Sequence, residues 1–202
     1  MDREPGSPPV SEWIDLTRPM DETLITWPGR SRPNCRWEKR LADGHHCNVS
    51  FWELSAHSGT HMDAPLHFMA GGKSIDQIPA DVFIGECVVA EAASADRHAG
   101  AKRLLLKTDD AEKPYEALLS EQTATRLIKG GLMLIGTERL SVDDSGGRDF
   151  RMHNLFLGAG CVIIEGLHLA NVPASRYLLH AAPLRMAGME ASPLRALLRR
   201  AP

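Results

Sequence analysis

Hydrophobic positions along the 202-residue chain fall mostly into short runs of strand length. Most of these runs are continuously apolar, which is typical of strands that are covered on both faces. The alternation of Cys47, Val49 and Phe51 instead predicts a strand with one buried face. The segments that predict strands are EWIDLT (12–17), CNVSFWEL (47–54), GECVVAEA (85–92), RLLLK (103–107), LMLIG (132–136), CVIIEGL (161–167) and APLRMAG (182–188).

Helical periodicity is clear in one segment and weaker in a second. Ser120 is the predicted cap of the first helix, and Gly130-Gly131 ends it. Its apolar stripe consists of Ala124, Leu127 and Ile128. A shorter helix is predicted over 149–157, with Asp149 as its cap and with Phe150 and Leu157 facing inward. The pattern therefore predicts an α/β chain with more strand than helix, and it contains no GxGxxG motif, P-loop or internal repeat.

Composition places these elements in a soluble enzyme-sized domain. A hydrophobic content of 43% in 202 residues is enough to bury one core, so we expect a single domain over 11–202. Residues 1–10 are rich in Pro, Gly and Ser and are predicted to be a disordered tail. The formal net charge of −3 gives no electrostatic reason to expect nucleic acid or an anionic membrane as a partner. The absence of a long apolar run or signal-like N-terminus predicts a cytoplasmic location.

The cysteines are scattered and form no CxxC pair, so a disulfide framework is not indicated. Cys87 and Cys161 lie within apolar runs and are expected to be small buried hydrophobes. Cys47 follows His45-His46, which leaves two interpretations: a second metal cluster, or the solvated turn that the preceding Asp-Gly favours.

The segment HSGTHMDAPLH carries the clearest chemistry in the chain. His57 is followed at offsets of four, six and ten residues by His61, Asp63 and His67. Imidazole nitrogen and carboxylate oxygen together suit zinc, manganese or iron(II). Since no cysteine lies nearby, a closed structural zinc site is not indicated. We therefore predict an open metal site that can do chemistry.

A helical arrangement of this motif is unfavourable. His57 and His61 are four residues apart, as in the zinc-protease helix, but Ser58 stands where that motif has its glutamate. Gly59 weakens a helix, and Pro65 would break it. The motif is therefore predicted to be a strand end that runs into a turn.

A second metal ion would need ligands from a distant segment. Asp63 has two oxygens and could bridge two ions, which together activate water and polarise a carbonyl. Glu165 interrupts an apolar run, so it is either a ligand or half of a buried salt bridge. His153 and His168 compete for the remaining place, and their spacing does not separate them.

The sequence HSGTHMDAPLHF closely resembles the signature of the metal-dependent cyclase-like hydrolase family, which includes the bacterial-type kynurenine formamidases. The resemblance covers nearly the whole chain. It runs from IDLTRPM through WPG, FIGE, RLLLKT, LIGTERLSVDD and EGLHL to PLRALL.

This resemblance implies a binuclear site with zinc, or alternatively manganese, as the metal. It implies that the first ion is bound by His57, His61 and Asp63, and the second by Asp63, His153 and Glu165. The choice between His153 and His168 thus falls on His153. The implied fold is a swivelling β/β/α arrangement, mostly β with a few helices. The family is usually a homodimer in which the active site borrows residues from the neighbouring subunit.

The implied activity is hydrolysis of N-formyl-L-kynurenine to L-kynurenine and formate, an aromatic amide substrate. His67 resembles the catalytic proton donor and acceptor. Trp27, in TWPG, resembles a residue that packs against the aromatic ring of the substrate. Without the resemblance, Trp27 would be interpreted as a core or turn tryptophan before Pro28.

Three positions depart from the family pattern. Arg30 stands where an acidic residue is common, Glu138 stands where Asp is usual, and Glu190-Ala191 replaces Asp-Gly. We expect none of them to touch a metal ligand, so the departures should bear on pocket shape and on the exact substrate. Two alternatives follow: a metal-dependent cyclase, dehydratase or lactam hydrolase of the isatin type, and a non-catalytic metal-binding protein.

Overall fold

The computed structural model of the chain describes residues 12–27, 29, 31–108, 118–144 and 149–200. The strands of this part are β1 (Trp13–Asp15), β2 (Asn34–Lys39), β3 (Val49–Glu53), β4 (His61–Asp63), β5 (Ile84–Glu91), β6 (Arg103–Lys107), β7 (Leu134–Thr137), β8 (Val162–Glu165), β9 (Ser175–His180), β10 (Ala191–Pro193) and β11 (Leu197–Arg200). The helices are α1 (Ala80–Phe83), α2 (Glu121–Lys129) and α3 (Arg151–Gly158). Short 3-10 segments span Leu41–Asp43, Pro65–His67, Ile75–Gln77 and Ala92–His98.

One mixed sheet organises the described residues. Its nine strands follow the order β1-β11-β9-β5-β6-β7-β8-β4-β10. The central strands β5, β6, β7 and β8 are parallel, and the strands on either side are antiparallel. Since β1 from the start of the described chain pairs with β11 from its end, both ends belong to one domain. The expected α/β fold with more strand than helix is confirmed.

Both faces of the sheet are buried, as the continuous apolar runs predict. Successive residues of a strand point to opposite faces. Accordingly, Leu104 and Ile163 pack in the cluster that includes residues of α2 and α3, while Leu105 and Ile164 pack in a second cluster on the other face. The second cluster contains Met62 of β4. Packing on this face therefore fixes the strand that carries part of the histidine-rich motif.

Helix α2 agrees with its prediction in detail. The hydroxyl of Ser120 accepts a hydrogen bond from the Thr123 amide, and Ala124 and Leu127 are buried. Helix α3 begins later than predicted, at Arg151, and Asp149 is not its cap. Phe150 takes the N-cap position with φ +44°, so its side chain turns outward and is 40% exposed. The prediction that Phe150 faces inward was therefore wrong.

The chain from 182 to 188 is not a strand. Pro183 has no N–H to donate to a ladder and makes only an isolated bridge to Leu194. Gly188 then turns the chain at φ +73°, which directs the following residues toward β4. The five strands that the apolar pattern missed are β2, β4, β9, β10 and β11, which are short or carry polar residues.

The hairpin of β2 and β3 stands apart from the main sheet. The predicted buried face of β3 is absent in the single chain, because Phe51 and Trp52 are exposed and Val49 is only half-buried. No layer of the described residues covers this hairpin.

The predicted tail at residues 1–10 and the departure at Arg30 lie outside the described residues. Among the residues that are described, no helix combines the length and apolar character needed to cross a bilayer.

Candidate metal centre

The histidine-rich motif forms a turn, a short strand and a 3-10 turn. His57 lies in the turn before β4, His61 and Asp63 lie in β4, and His67 ends the 3-10 segment after Pro65. The motif is not helical, as predicted, and β4 runs into the turn at Pro65–His67 as expected; a further turn, which holds His57, precedes the strand.

The turn before β4 is held against the turn that follows β8. The Thr60 hydroxyl donates to the Gly166 carbonyl at 2.7 Å and accepts from the Arg18 amide at 2.9 Å. Gly59 has φ +62°, and a Cβ on Gly166 would lie 2.6 Å from the Gly59 carbonyl oxygen. Only glycine permits this approach. The Gly-Thr of the motif therefore aligns the backbone beside Glu165.

Strand pairing brings Glu165 to the histidines. In the antiparallel register of β4 and β8, His61 lies directly opposite Glu165. Directly opposed residues project from the same face, so both side chains enter one space. His153 reaches the same space from the first turn of α3. His168 is exposed and takes no part, so the structure brings in His153.

Four side chains surround Asp63 at distances that suit coordination. His57 Nδ1 lies 2.9 Å from Asp63 Oδ1, and His61 Nε2 lies 3.5 Å from it. His153 Nε2 lies 3.5 Å from Asp63 Oδ2 and 3.4 Å from Glu165 Oε1. Two ligands at about 2.1 Å from a tetrahedral ion are themselves roughly 3.4 Å apart. The separations of 3.4–3.5 Å therefore fit cations between these groups, whereas the 2.9 Å between His57 and Asp63 is shorter than this spacing.

Several atoms in this space lack hydrogen-bond partners. His61 Nε2 and both carboxylate oxygens of Asp63 are buried, and none has an aligned donor or acceptor among the described residues. Buried polar atoms are nearly always satisfied, and an unsatisfied group indicates an ion or other missing partner. The donor set of imidazoles and carboxylates suits zinc or manganese. These residues therefore suit a divalent metal ion.

The electrostatic field of the buried carboxylates favours positively charged groups in this space. Burial alone would lower the pKa of His61, but Asp63 and Glu165 outweigh it and raise the pKa to about 9. Burial is likewise outweighed at His153, where the neighbouring carboxylates of Asp143, Asp63 and Glu165 raise the pKa to about 12. Burial would raise the pKa of Asp63, yet the neighbouring histidines hold it well below its usual range. The buried carboxylates of Asp63 and Glu165 thus require positively charged partners.

Asp143 is a site residue that the sequence analysis did not identify. Its carboxylate accepts from the amides of Met152 and His153, which caps α3, and it lies 2.6 Å from His153 Nδ1. It thus performs the capping that was predicted for Asp149. The segment LSVDD that contains it was part of the family resemblance, which was the one signal available.

Two of the departures from the family pattern have different surroundings. Glu138 is buried outside the cavity, where its carboxylate accepts from the Thr108 and Leu169 amides. Glu190, in contrast, lies 3.1 Å from His57 Nε2. The expectation that the departures spare the predicted ligands was therefore wrong for Glu190, since β10 brings it beside His57.

A cavity of about 370 Å³ opens over these imidazole and carboxylate groups. Trp27 lines it, together with apolar and aromatic residues from other segments. The apolar and aromatic part of its wall is formed by Ile25, Trp27, Phe68, Leu140 and Phe150. The Phe68 ring stacks on His153 with centroids 4.7 Å apart, and it contacts Phe150 at 5.2 Å. The cavity thus joins a polar floor to an aromatic wall.

His67 lies at the edge of the floor. Its ring is half-buried, 4.4 Å from the ring of His57, and its nitrogens have no hydrogen-bond partner among the described residues. Burial and the neighbouring His57 and His153 lower its pKa despite the opposing effect of Asp63. His67 is therefore neutral at neutral pH and can accept a proton.

Comparison with known proteins shows the family to which this chain belongs. The chain matches the Cyclase family, described as "Putative cyclase", over residues 14–144. It is 36% identical to a kynurenine formamidase of Salinibacter ruber, covering 94% of this chain and 98% of that protein. It is 32% identical to a kynurenine formamidase of Paracidovorax citrulli, covering 92% and 95%.

A solved structure described as a potential metal-dependent hydrolase with cyclase activity superimposes with a TM-score of 0.77 at 28% identity, covering 94% of this chain and 98% of that one. An isatin hydrolase A of Labrenzia aggregata has the same fold, with a TM-score of 0.77 at 23% identity over 93% of each chain. The chain belongs to the cyclase family, whose fold was expected from the resemblance. It is an enzyme of the hydrolase class.

Proposed function

We propose that this enzyme binds two divalent metal ions around Asp63 and hydrolyses an aryl formamide, N-formyl-L-kynurenine, to L-kynurenine and formate. The observation that carries the proposal is the set of unsatisfied imidazole and carboxylate atoms at the floor of an aromatic-walled cavity. The names of the relatives that align over almost the whole chain support the choice of substrate.

The residues around Asp63 divide into two ligand sets that share its carboxylate. The proposed ligands are His57, His61 and Asp63 for one ion, and Asp63, His153 and Glu165 for the other. The metal is zinc, with manganese as the alternative, because both accept this donor set. Such ions, when bound, lower the pKa of water toward about 7 and polarise a carbonyl oxygen.

His67 carries the proton in this proposal. It is neutral at neutral pH, so its free ring nitrogen can take a proton from the attacking water. The protonated ring then gives this proton to the amide nitrogen of the leaving arylamine, which leaves poorly as an anion. The ring also lies within 4.8 Å of ligand atoms of His57 and Asp63, so metal content must be measured to separate a proton shuttle from a ligand.

The wall of the cavity suits the aromatic part of the substrate. Trp27 is half-buried and lines the cavity together with Phe150 and Ile25. Aromatic rings pack against one another in offset-stacked or edge-to-face contacts at centroid distances of about 4.5–7 Å. An aryl ring against this wall leaves its formyl group at the polar floor.

The test combines elemental analysis with an assay of formylkynurenine hydrolysis before and after chelation. We expect two ions per chain, turnover that disappears with their removal, and recovery on adding zinc or manganese. A parallel assay with isatin-type lactams addresses the alternative reaction. Turnover confined to lactams would replace the formamidase assignment, and bound metal without any hydrolysis would favour a binding protein.

We further propose that the enzyme is a homodimer that uses the β2–β3 hairpin as part of its interface. Trp37, Phe51 and Trp52 on this hairpin are 51%, 43% and 40% exposed. An isolated two-stranded hairpin is marginally stable, and clustered exposed apolar residues indicate an interface. Trp37→Ser with Trp52→Ser should yield monomers by light scattering, whereas the exposed Leu184→Ser should remain dimeric. A monomeric wild-type protein would reject this arrangement.

A further inference from the structure

Three histidines of the metal centre each turn one ring nitrogen inward and the other outward. The inward atoms are Nδ1 of His57, Nε2 of His61 and Nε2 of His153, which face Asp63. The outer atoms also have partners. His61 Nδ1 lies 3.0 Å from the Gly59 carbonyl, and His153 Nδ1 lies 2.6 Å from Asp143.

His57 differs from the other two because its outer atom is Nε2. This atom lies 3.1 Å from Glu190 Oε1. A carbonyl or carboxylate oxygen accepts a hydrogen bond and cannot donate one, so once the inner nitrogens bind metal, each outer nitrogen carries the single ring proton. His61 and His153 therefore hold their proton on Nδ1, whereas His57 must hold it on Nε2 to present the lone pair of Nδ1 inward.

The backbone around Glu190 is fixed to the same strand that carries Asp63. In the pairing of β4 with β10, Ala191 lies opposite Asp63, and the Ala64 amide donates to the Glu190 carbonyl at 2.8 Å. On the other side, the Ile75 amide donates to the Met189 carbonyl at 2.8 Å. A rigid backbone thus delivers the Glu190 carboxylate to His57 even though its side chain is 37% exposed.

We propose that Glu190 is a positioning residue that selects the Nε2–H tautomer of His57 and aims its Nδ1 at the metal. The inference rests on the proposed function, since it takes His57 as a ligand. Carboxylates behind metal-bound histidines fix the tautomer and orientation of the ring, and their loss typically costs about 10–100-fold in metal affinity. Asp143 holds His153 in the same manner, but for the opposite tautomer.

The affinity test uses Zn²⁺ alone, in competition with a chromophoric chelator. In Glu190→Ala, one of the two zinc ions should bind about 10–100-fold more weakly while the other is unchanged. Glu190→Gln keeps an oxygen acceptor and should restore most of that loss. Glu86→Ala, which removes an exposed carboxylate from a separate cavity, should match wild type.

Long-range ¹H–¹⁵N spectra of zinc-loaded wild-type protein provide a second test that needs no variant. They should show the Nε2–H form for His57 and the Nδ1–H form for His61 and His153. A wild-type protein that holds two zinc ions but has His57 protonated on Nδ1, or equal zinc affinity in Glu190→Ala, would overturn this inference alone. A wild-type protein that binds no zinc would instead reject the proposed function.

Discussion

Binding of metal ions should release protons from the centre. The number of protons released depends on how many histidines lie beside its carboxylates. His61 and His153 lie beside the carboxylates of Asp63 and Glu165, which raise their pKa to about 9 and about 12 in the metal-free chain. Both imidazoles therefore carry a positive charge at about pH 8. A metal ligand must be a neutral imidazole, so binding two ions releases both protons.

The number of protons released distinguishes histidines with raised pKa values from histidines with ordinary pKa values. At about pH 8 we expect roughly two protons from the imidazoles and at most about one more from an ionising water. Histidines with a pKa of about 6.5 would already be neutral and would release almost none. Between about pH 6 and pH 8, the overall zinc affinity should rise by up to about a hundredfold per pH unit.

Isothermal titration calorimetry measures this release directly. Zinc is titrated into metal-free protein in buffers of different ionisation enthalpy, and the slope of the observed heat against that enthalpy gives the protons released. His168→Ala, which removes an exposed histidine outside the centre, should give the wild-type number. A release of one proton or fewer at about pH 8, with affinity that barely changes with pH, would refute the reasoning.

Other perturbations test separate parts of the site. His67→Ala should keep both metal ions but lose about 10²–10⁴ in turnover, because its proton transfer is removed; loss of one ion would make His67 a ligand instead. Asp63→Asn should lose metal, and a variant with two ions would contradict the bridging role. Trp27→Ala should raise KM for formylkynurenine more than it lowers kcat, whereas an unchanged KM would separate this side chain from substrate binding. The metal-free enzyme should be most stable near about pH 5–6.5 and lose stability toward about pH 9–10. The raised pKa of His61 accounts for roughly 3 kcal/mol of this loss, because its stabilising effect is complete below the unfolded pKa and disappears above about 9. The raised pKa of His153 adds a further loss over the same range. Chemical denaturation at several pH values measures the loss, and a flat profile would contradict it.

Local chemistry made several features of this protein predictable. Ser120 and the apolar stripe from Ala124 to Leu127 specify α2, because a cap and a 3.6-residue period act within one segment. The central strands were also recognised, since continuous apolar runs suit a sheet buried on both faces. The short strand β10 was missed, because its pairing partner β4, and not its own residues, holds it extended.

The metal centre likewise combines features that local sequence predicts with features that depend on distant segments. The ligand types follow from local sequence, since HSGTHMDAPLH places imidazoles and a carboxylate within eleven residues and its Gly and Pro exclude a helix. The distant groups that join them are selected by the fold. The register of β4 with β8 brings in Glu165, the register of β4 with β10 brings in Glu190, and the Asp143 cap orients His153. These contacts depend on hydrogen bonds between remote segments of backbone, which no spacing along one chain specifies.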